Sequence, residues 1–213
     1  MDLDAVEVRV LGSLIEKQRT TPDVYPLSLN SLRAACNQST NRDPVVSYGE
    51  EEIRDALHRL GRRRWTRFAS GARAAKYRHL LDETPGLTVD EQALLAVPML
   101  RGPQTPGELR QRVDRLYAFP DQAAFQATLD RLIERGFLAR HARRPGQKEE
   151  RYAHRLSEDL EDAPAATPAP PSFQPPPPPA PRSDVDRIDR LEREVAALTA
   201  QVAELRAAAG HDD

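Results

Sequence analysis

The chain has 213 residues, of which 39% are hydrophobic, 30% charged and only 5% aromatic, so it offers too little core material for a large single-core enzyme. Its longest apolar run, residues 93–100, is interrupted by Pro98 and is too short to span a bilayer. Cys36 is the only cysteine, and the acidic start of the chain lacks the features of a secretory signal, so we expect a cytoplasmic protein with no membrane partner.

The formal net charge of −2 hides an uneven distribution along the chain. Residues 1–81 carry 14 Lys and Arg against 10 Asp and Glu, residues 82–157 carry 12 against 11, and residues 158–213 carry 5 against 12. The sequence therefore combines a basic body with an acidic tail. Most of the basic residues are arginines, whose forked guanidinium groups suit phosphate oxygens.

The first part of the chain has the pattern of three helices followed by a hairpin. Apolar residues at helical spacing from Val6 to Ile15 predict the first helix. Ser28 is a typical N-cap for a second helix that reaches Ala35. A third helix is expected over residues 50–64, followed by two short strands joined by a basic loop.

The same order recurs about 72 residues later. The segment Leu57-His58-Arg59-Leu60 is matched by Leu129-Asp130-Arg131-Leu132, and a similar basic loop and strand follow each segment. Upstream, two capping boxes predict two helix starts, and they pair Thr88 with Glu91 and Thr105 with Glu108. Three helices and a hairpin with a basic tip are the order of a winged-helix domain. The sequence thus predicts an α+β, mainly α protein with tandem winged-helix domains at residues 1–81 and 82–160.

The rest of the chain predicts a linker and a helix. Residues 161–182 are rich in Pro and Ala, and we interpret them as a flexible spacer rather than an SH3-type ligand. Residues 183–209 predict a C-terminal coiled-coil helix, because β-branched residues at a and leucines at d favour a parallel dimer. An amphipathic helix that docks on its own body is the alternative. The predicted self-association residues are Ile188, Leu191, Val195, Leu198, Val202 and Leu205.

Three unusual strings resemble the YceH family of bacterial proteins, namely Thr20–Asn30, Ala35–Gln38 and Asn41–Val45. The resemblance covers Leu3 to about Leu156 and, more loosely, the heptads. It implies a tandem winged-helix fold and a bacterial source, and it brings neither an established biochemical role nor catalytic residues. One departure is Arg64, because a glycine often precedes the first strand of the wing.

The spacing of the chemically active residues gives no enzyme motif. No two glycines lie within two positions of each other, which excludes the phosphate-cradling loops by motif. The histidines and Cys36 are all more than ten residues apart, so no metal site is predicted, and we expect neither a cofactor nor enzymatic activity. Cys36 is expected in the core. The loop of residues 37–44 is expected to serve mainly as a turn, with recognition as the alternative.

A basic cluster gives the strongest functional signal. From Arg59 to Arg78 there are eight basic residues and no acidic one. We therefore predict a non-enzymatic protein that binds double-stranded DNA, of the kind that regulates transcription. The alternative is an adaptor that docks a protein partner, favoured by Glu50-Glu51-Glu52 at the start of the third helix and by the low pI of about 6.2. The predicted DNA-binding residues are Arg54, His58, Arg59, Arg62, Arg63, Arg67, Arg73, Lys76, Arg143, Arg144 and Lys148.

Overall fold

A computed structural model describes residues 2–69, 75–141 and 149–157 of the chain. These residues form an α+β fold, about half helical, with small antiparallel sheets. The predicted linker, the predicted coiled-coil helix with its self-association residues, and Arg73, Arg143, Arg144 and Lys148 lie outside the described residues.

Both repeats contain three helices followed by two strands, as the sequence predicts. The elements of the first repeat are α1 (Ala5–Thr20), β1 (Leu27–Ser28), α2 (Leu29–Cys36), α3 (Glu50–Arg62), β2 (Thr66–Ala69) and β3 (Lys76–His79). Those of the second are α4 (Val89–Arg101), α5 (Pro106–Val113), α6 (Gln122–Glu134), β4 (Leu138–His141) and β5 (Arg151–His154).

Capping boxes start the helices. The Thr105 N–H donates to the Glu108 carboxylate at 2.9 Å, and the Glu108 N–H donates to the Thr105 hydroxyl at 3.2 Å. At the start of α4 the Thr88 N–H donates to Glu91 at 3.0 Å. Both predicted boxes are confirmed. A third box, which was not predicted, lies at the start of α1, where Asp4 and Glu7 exchange hydrogen bonds of 2.9 and 2.8 Å.

The two hairpins are also confirmed. In the first sheet the strand order is β1-β3-β2, and Tyr77 of β3 lies opposite both Leu27 and Phe68. The short strand β1 was not predicted. In the second sheet β4 pairs with β5, and Gln104 bridges to Tyr152 where β1 lies in the first repeat.

The two repeats share one hydrophobic core. Helix α1 packs along α4, and residues on both faces of α1 are buried. Gly12 allows the two helices to approach closely, because an added Cβ would lie 2.9 Å from Leu100 Cδ2. Cys36 is buried in this core, as expected, and so are the hairpin residues Trp65 and Tyr77.

The turn between α3 and β2 shows how Arg64 occupies a position where a glycine is common. Arg64 has a φ of 59°, in the left-handed region, and Gly136 has a φ of 75° at the matching place before β4. The hydrogen bonds match as well, since Trp65 N–H donates to Leu60 O at 3.0 Å and Phe137 N–H donates to Leu132 O at 2.9 Å. The first turn is therefore as tight as the second, and Arg64 adopts the conformation that suits glycine.

We expect Arg64→Gly to raise the free energy of unfolding by about 0.5–1 kcal/mol, because relief of left-handed strain exceeds the added freedom of the unfolded chain. Gly136→Ala should lower it by about 1 kcal/mol for the converse reason. Urea unfolding measures both changes. Arg62→Gly, the same replacement at the last residue of α3, is the control and should be destabilising. Equal effects of Arg64→Gly and Arg62→Gly would contradict the argument.

Candidate nucleic-acid interface

A cleft lies between α3 and β2 of the first repeat. It has a volume of about 140 Å³, and we call it the α3–β2 cleft. Leu57 and Tyr77 are buried at its base, whereas Arg54 and His58 are exposed at its edge. The structure thus brings three of the predicted DNA-binding residues together. The lining residues are Arg54, Leu57, His58, Gly61, Thr66, Arg67, Phe68 and Tyr77.

Phe68 is the unusual member of the cleft. Its side chain lies against the Tyr77 ring, with centroids 4.9 Å apart, yet 64% of Phe68 is exposed. A large aromatic residue in this position gains little from the core and presents an apolar face to solvent. Sequence reasoning missed Phe68, although an aromatic residue inside the basic cluster was a signal that could have found it.

The cations around the cleft differ in their partners. Arg54 forms an exposed i,i+4 ion pair of 2.5 Å with Glu50, and such pairs contribute little stability and separate easily. Within the described ranges, no carboxylate forms an ion pair with Arg62, Arg67 or Lys76. These three side chains are available to an anionic partner.

Arg59 and Arg63 contact other residues of their own repeat. The Arg59 guanidinium forms ion pairs with Asp4 and, at 3.5 Å, with Glu7, and Arg63 donates to the Asp2 carbonyl at 2.7 Å. Both side chains thereby fasten α3 to the start of α1. To bind DNA as predicted, Arg59 and Arg63 would have to break these internal contacts.

The second repeat has equivalent contacts between its third helix and the start of α4. Arg131, which matches Arg59, forms an ion pair of 2.6 Å with Asp90. Arg135, which matches Arg63, forms one of 2.6 Å with Glu91. Two arginines in each repeat therefore have a structural role.

The lining of the cleft, by contrast, differs between the repeats. The places of Arg54 and His58 on α3 are taken by Gln126 and Asp130 on α6. The place of Phe68, opposite the strand tyrosine, is taken by Arg140, which pairs with Glu150 at 2.6 and 2.8 Å. Since the second repeat folds with other residues there, the fold does not require the cationic and aromatic lining of the α3–β2 cleft.

The loop of residues 37–44 serves the fold, as the turn interpretation expects. Asn37 exchanges hydrogen bonds with the Tyr48 backbone at 2.8 and 2.9 Å. The Asp43 N–H donates to the Leu100 carbonyl at 2.9 Å and ties the loop to α4. The loop therefore connects the two repeats.

Arg42 of this loop belongs to a buried ion pair. Its fully buried guanidinium contacts Glu16 of α1 at 2.5 Å and also donates to the Ala35 carbonyl at 2.8 Å. The other Glu16 oxygen accepts from Arg115, which follows α5 in the second repeat. Glu16 thus joins α1, the loop and the second repeat, a function that sequence reasoning missed.

Burial also determines the chemistry of Cys36. Burial raises the pKa of this thiol to about 11, which keeps it protonated near neutral pH. Among the described residues, no group of three or more His, Cys, Asp and Glu side chains could hold a metal ion. No helix in the part of the chain that the structure describes is long and apolar enough to cross a membrane.

These features define an α+β protein of two helix–hairpin repeats, with a cationic, aromatic cleft on the first. A family model described as "Protein of unknown function, DUF480" matches residues 3–147, and the chain belongs to this family of uncharacterised bacterial proteins. A UPF0502 protein of Solibacter usitatus is 48% identical over 168 residues, which cover 78% of this chain and 82% of the relative. A UPF0502 protein of Azotobacter vinelandii is 47% identical over 165 residues, which cover 76% of this chain and 74% of the relative.

Proposed function

We propose that the protein binds double-stranded DNA through its first repeat, and that both repeats are winged-helix domains of the YceH type. The order of three helices and a hairpin in each repeat supports the domain assignment. The three-stranded sheet of the first repeat supports it as well. Self-association through residues 183–209 and cytoplasmic location stay predictions.

One observation carries the proposal of DNA binding. The first repeat presents cations on α3 and on its hairpin that no described carboxylate neutralises, whereas the matching surface of α6 carries Gln126 and Asp130. The contacts within the fold do not account for these unpaired cations. Phosphate groups would compensate it, because they accept hydrogen bonds from arginine and lysine without regard to sequence.

The acidic start of α3 determines which part of the helix faces DNA. Glu50, Glu51 and Glu52 are exposed there and repel phosphate. The DNA therefore lies against α3 beyond its first turn and against the hairpin. In this arrangement Arg62, Arg67 and Lys76 contact phosphates, and His58 contacts base edges.

A salt titration tests the proposal. The purified full-length chain should bind a random-sequence duplex at low salt. The logarithm of the binding constant should fall linearly with the logarithm of the salt concentration, with a slope of about −0.9 per phosphate neutralised. Replacement of Arg62, Arg67 and Lys76 together by alanine should weaken binding to all sequences and make the slope shallower by up to about three units. Anisotropy of a labelled duplex measures both quantities.

Arg155→Ala is the matched control for this experiment. Arg155 is an exposed arginine after β5 of the second repeat, and its loss should leave the slope nearly unchanged. His58→Ala should alter sequence preference and leave the slope as it is. Absence of binding at low salt would overturn the proposal.

An adaptor that docks another protein is the second candidate. The exposed Phe68 ring above the apolar base of the α3–β2 cleft favours it, because exposed aromatic residues are common at protein interfaces. A chain that binds no duplex at low salt, with its fold intact, would make the adaptor the leading function.

A further inference from the structure

The α3–β2 cleft has the size of a single aromatic ring. Its volume of about 140 Å³ is close to the roughly 150 Å³ of a protein cavity that accommodates benzene. Leu57 and Tyr77 form an apolar base, and Gly61 leaves one side of the cleft without a side chain. The cleft therefore has room for a six-membered ring.

Phe68 forms an aromatic wall of this cleft. Its ring is held against Tyr77, and most of it remains exposed, so one ring can stack on it without displacing a core residue. Stacking of a nucleobase on an aromatic side chain stabilises single-stranded binding and is tolerant of sequence.

The polar groups at the edge of the cleft are mainly donors. Arg54 and Arg67 offer only hydrogen-bond donors, His58 offers a ring N–H, and no carboxylate lines the cleft. The occupant must supply acceptors and negative charge. The carbonyl oxygens of a pyrimidine and the phosphates on either side of it supply both, whereas an apolar side chain supplies neither.

We propose that the α3–β2 cleft binds a single unpaired pyrimidine of DNA, stacked on Phe68, with the adjacent phosphates near Arg54 and Arg67. The inference rests on the proposed DNA binding and specifies its substrate as a duplex with an unpaired base. The second repeat lacks the site, because Arg140 takes the place of Phe68 and Asp130 places a carboxylate where His58 lies.

The test compares three labelled duplexes of otherwise identical sequence by fluorescence anisotropy with the full chain. One is fully paired, one carries a single bulged thymidine, and one carries a bulged abasic residue that bends the backbone without a base. We expect the bulged thymidine to increase affinity on the order of tenfold over both other duplexes, as stacking of one base provides.

Two variants remove the site in different ways. Phe68→Ala removes the stacking wall, and its exposure makes a folding defect unexpected. Gly61→Leu fills the cleft from α3. An added Cβ at this position would lie 4.0 Å from its nearest neighbour, the Thr66 carbonyl oxygen, and leucine has a higher helix propensity than glycine. Both should abolish the tenfold preference and retain binding to the paired duplex. Val89→Ala, which removes another exposed apolar side chain, should retain the preference.

The possible outcomes separate the inference from the proposed function. Equal affinity for the three duplexes, or a preference for both bulges that Phe68→Ala leaves unchanged, would overturn the inference and leave DNA binding intact. Absence of binding to every duplex would overturn both. Displacement of the paired and bulged duplexes alike by an Asp-Asp-Phe-Asp-Asp peptide, without any preference for the bulge, would identify the cleft as a peptide site and also overturn the inference.

Discussion

Glu16→Gln should lower the free energy of unfolding by about 3–5 kcal/mol, the usual cost of breaking a buried ion pair by removal of one partner. The Glu16 side chain is 1% exposed and that of Arg42 is 0% exposed, so water cannot replace the lost carboxylate charge. The variant keeps the shape of the side chain and leaves the Arg42 guanidinium without its counter-charge. Urea unfolding measures the loss, which is a large part of the total stability of a domain.

The electrostatics of Glu16 support this expectation. Burial alone raises the pKa of a carboxyl group, but the hydrogen bond from Arg42 and the charges of Arg42, Arg115 and Lys17 outweigh burial and hold the pKa of Glu16 below its ordinary value. The folded state therefore stabilises the ionised form. A neutral amide cannot reproduce that interaction.

Glu50→Gln is the matched control. Glu50 forms an ion pair with Arg54 at the same 2.5 Å, but the side chains are 50% and 58% exposed. Its loss should cost less than about 1 kcal/mol, because solvent screens exposed pairs. If the two substitutions had similar effects, the buried ion pair would not stabilise the fold as described.

The secondary structure was largely predictable from local signals. Ser28 and Thr105 cap their helices as expected, and the apolar residues at helical spacing from Val6 to Ile15 lie in α1 as predicted. These signals act over three or four residues, so they are complete in the sequence. The strand β1 was missed because two residues carry no periodicity, and only the partner strand β3 defines it.

The candidate site was only partly predictable. Basic residues were predicted to bind DNA because many of them occur in one segment. Arg59 and Arg63, however, form hydrogen bonds at the start of α1, more than fifty positions away. Similarly, Glu16 and Arg115 are 99 positions apart. Sequence patterns indicate which side of a helix is polar, and they do not indicate which distant residue that side contacts.

One feature of the repeats was present in the sequence and was missed. A histidine lies two residues after each of the matched tyrosines Tyr77 and Tyr152. His79 is 2% exposed and His154 is 5% exposed, so both are buried at the ends of β3 and β5. Comparison of the repeats residue by residue identifies this pair, because surface histidines have no reason to recur at the same offset.

The hydrogen bonds keep these histidines neutral. The Leu81 N–H donates to His79 Nδ1 at 3.3 Å, and the Leu156 N–H donates to His154 Nδ1 at 3.4 Å. The proton therefore resides on Nε2, which in His79 donates to Gln18 Oε1 at 2.6 Å. Protonation of either Nδ1 would direct two N–H groups at each other inside the core.

Burial lowers the pKa of both histidines from 6.5 to about 4. For His79, Asp82 opposes this shift, while Arg19 and Arg78 add to it. Well above pH 6.5 both the folded and the unfolded chain are neutral at these positions. As the pH falls below 6.5 only the unfolded chain takes up protons, so stability declines until about pH 4.

We expect the free energy of unfolding to fall by about 2 kcal/mol per histidine between pH 7 and pH 5, or about 4 kcal/mol for the pair. Carboxylates with lowered pKa values, such as Glu16 and Glu91, lose their contribution only below their ordinary value of 4.5. The interval from pH 7 to pH 5 therefore separates the two classes of group. Urea unfolding at pH 7, 6 and 5 measures the decline.

His79→Gln and His154→Gln should each halve this pH dependence, because glutamine does not titrate. Should a variant fail to fold, proton uptake on unfolding of the unmodified chain at pH 5 provides the same information, and this pair should contribute close to two protons. A stability that stays constant from pH 7 to pH 5 would contradict the argument. The decline is steep because both repeats bury a histidine in the same way, so that the two contributions fall in the same pH interval and add within one shared core.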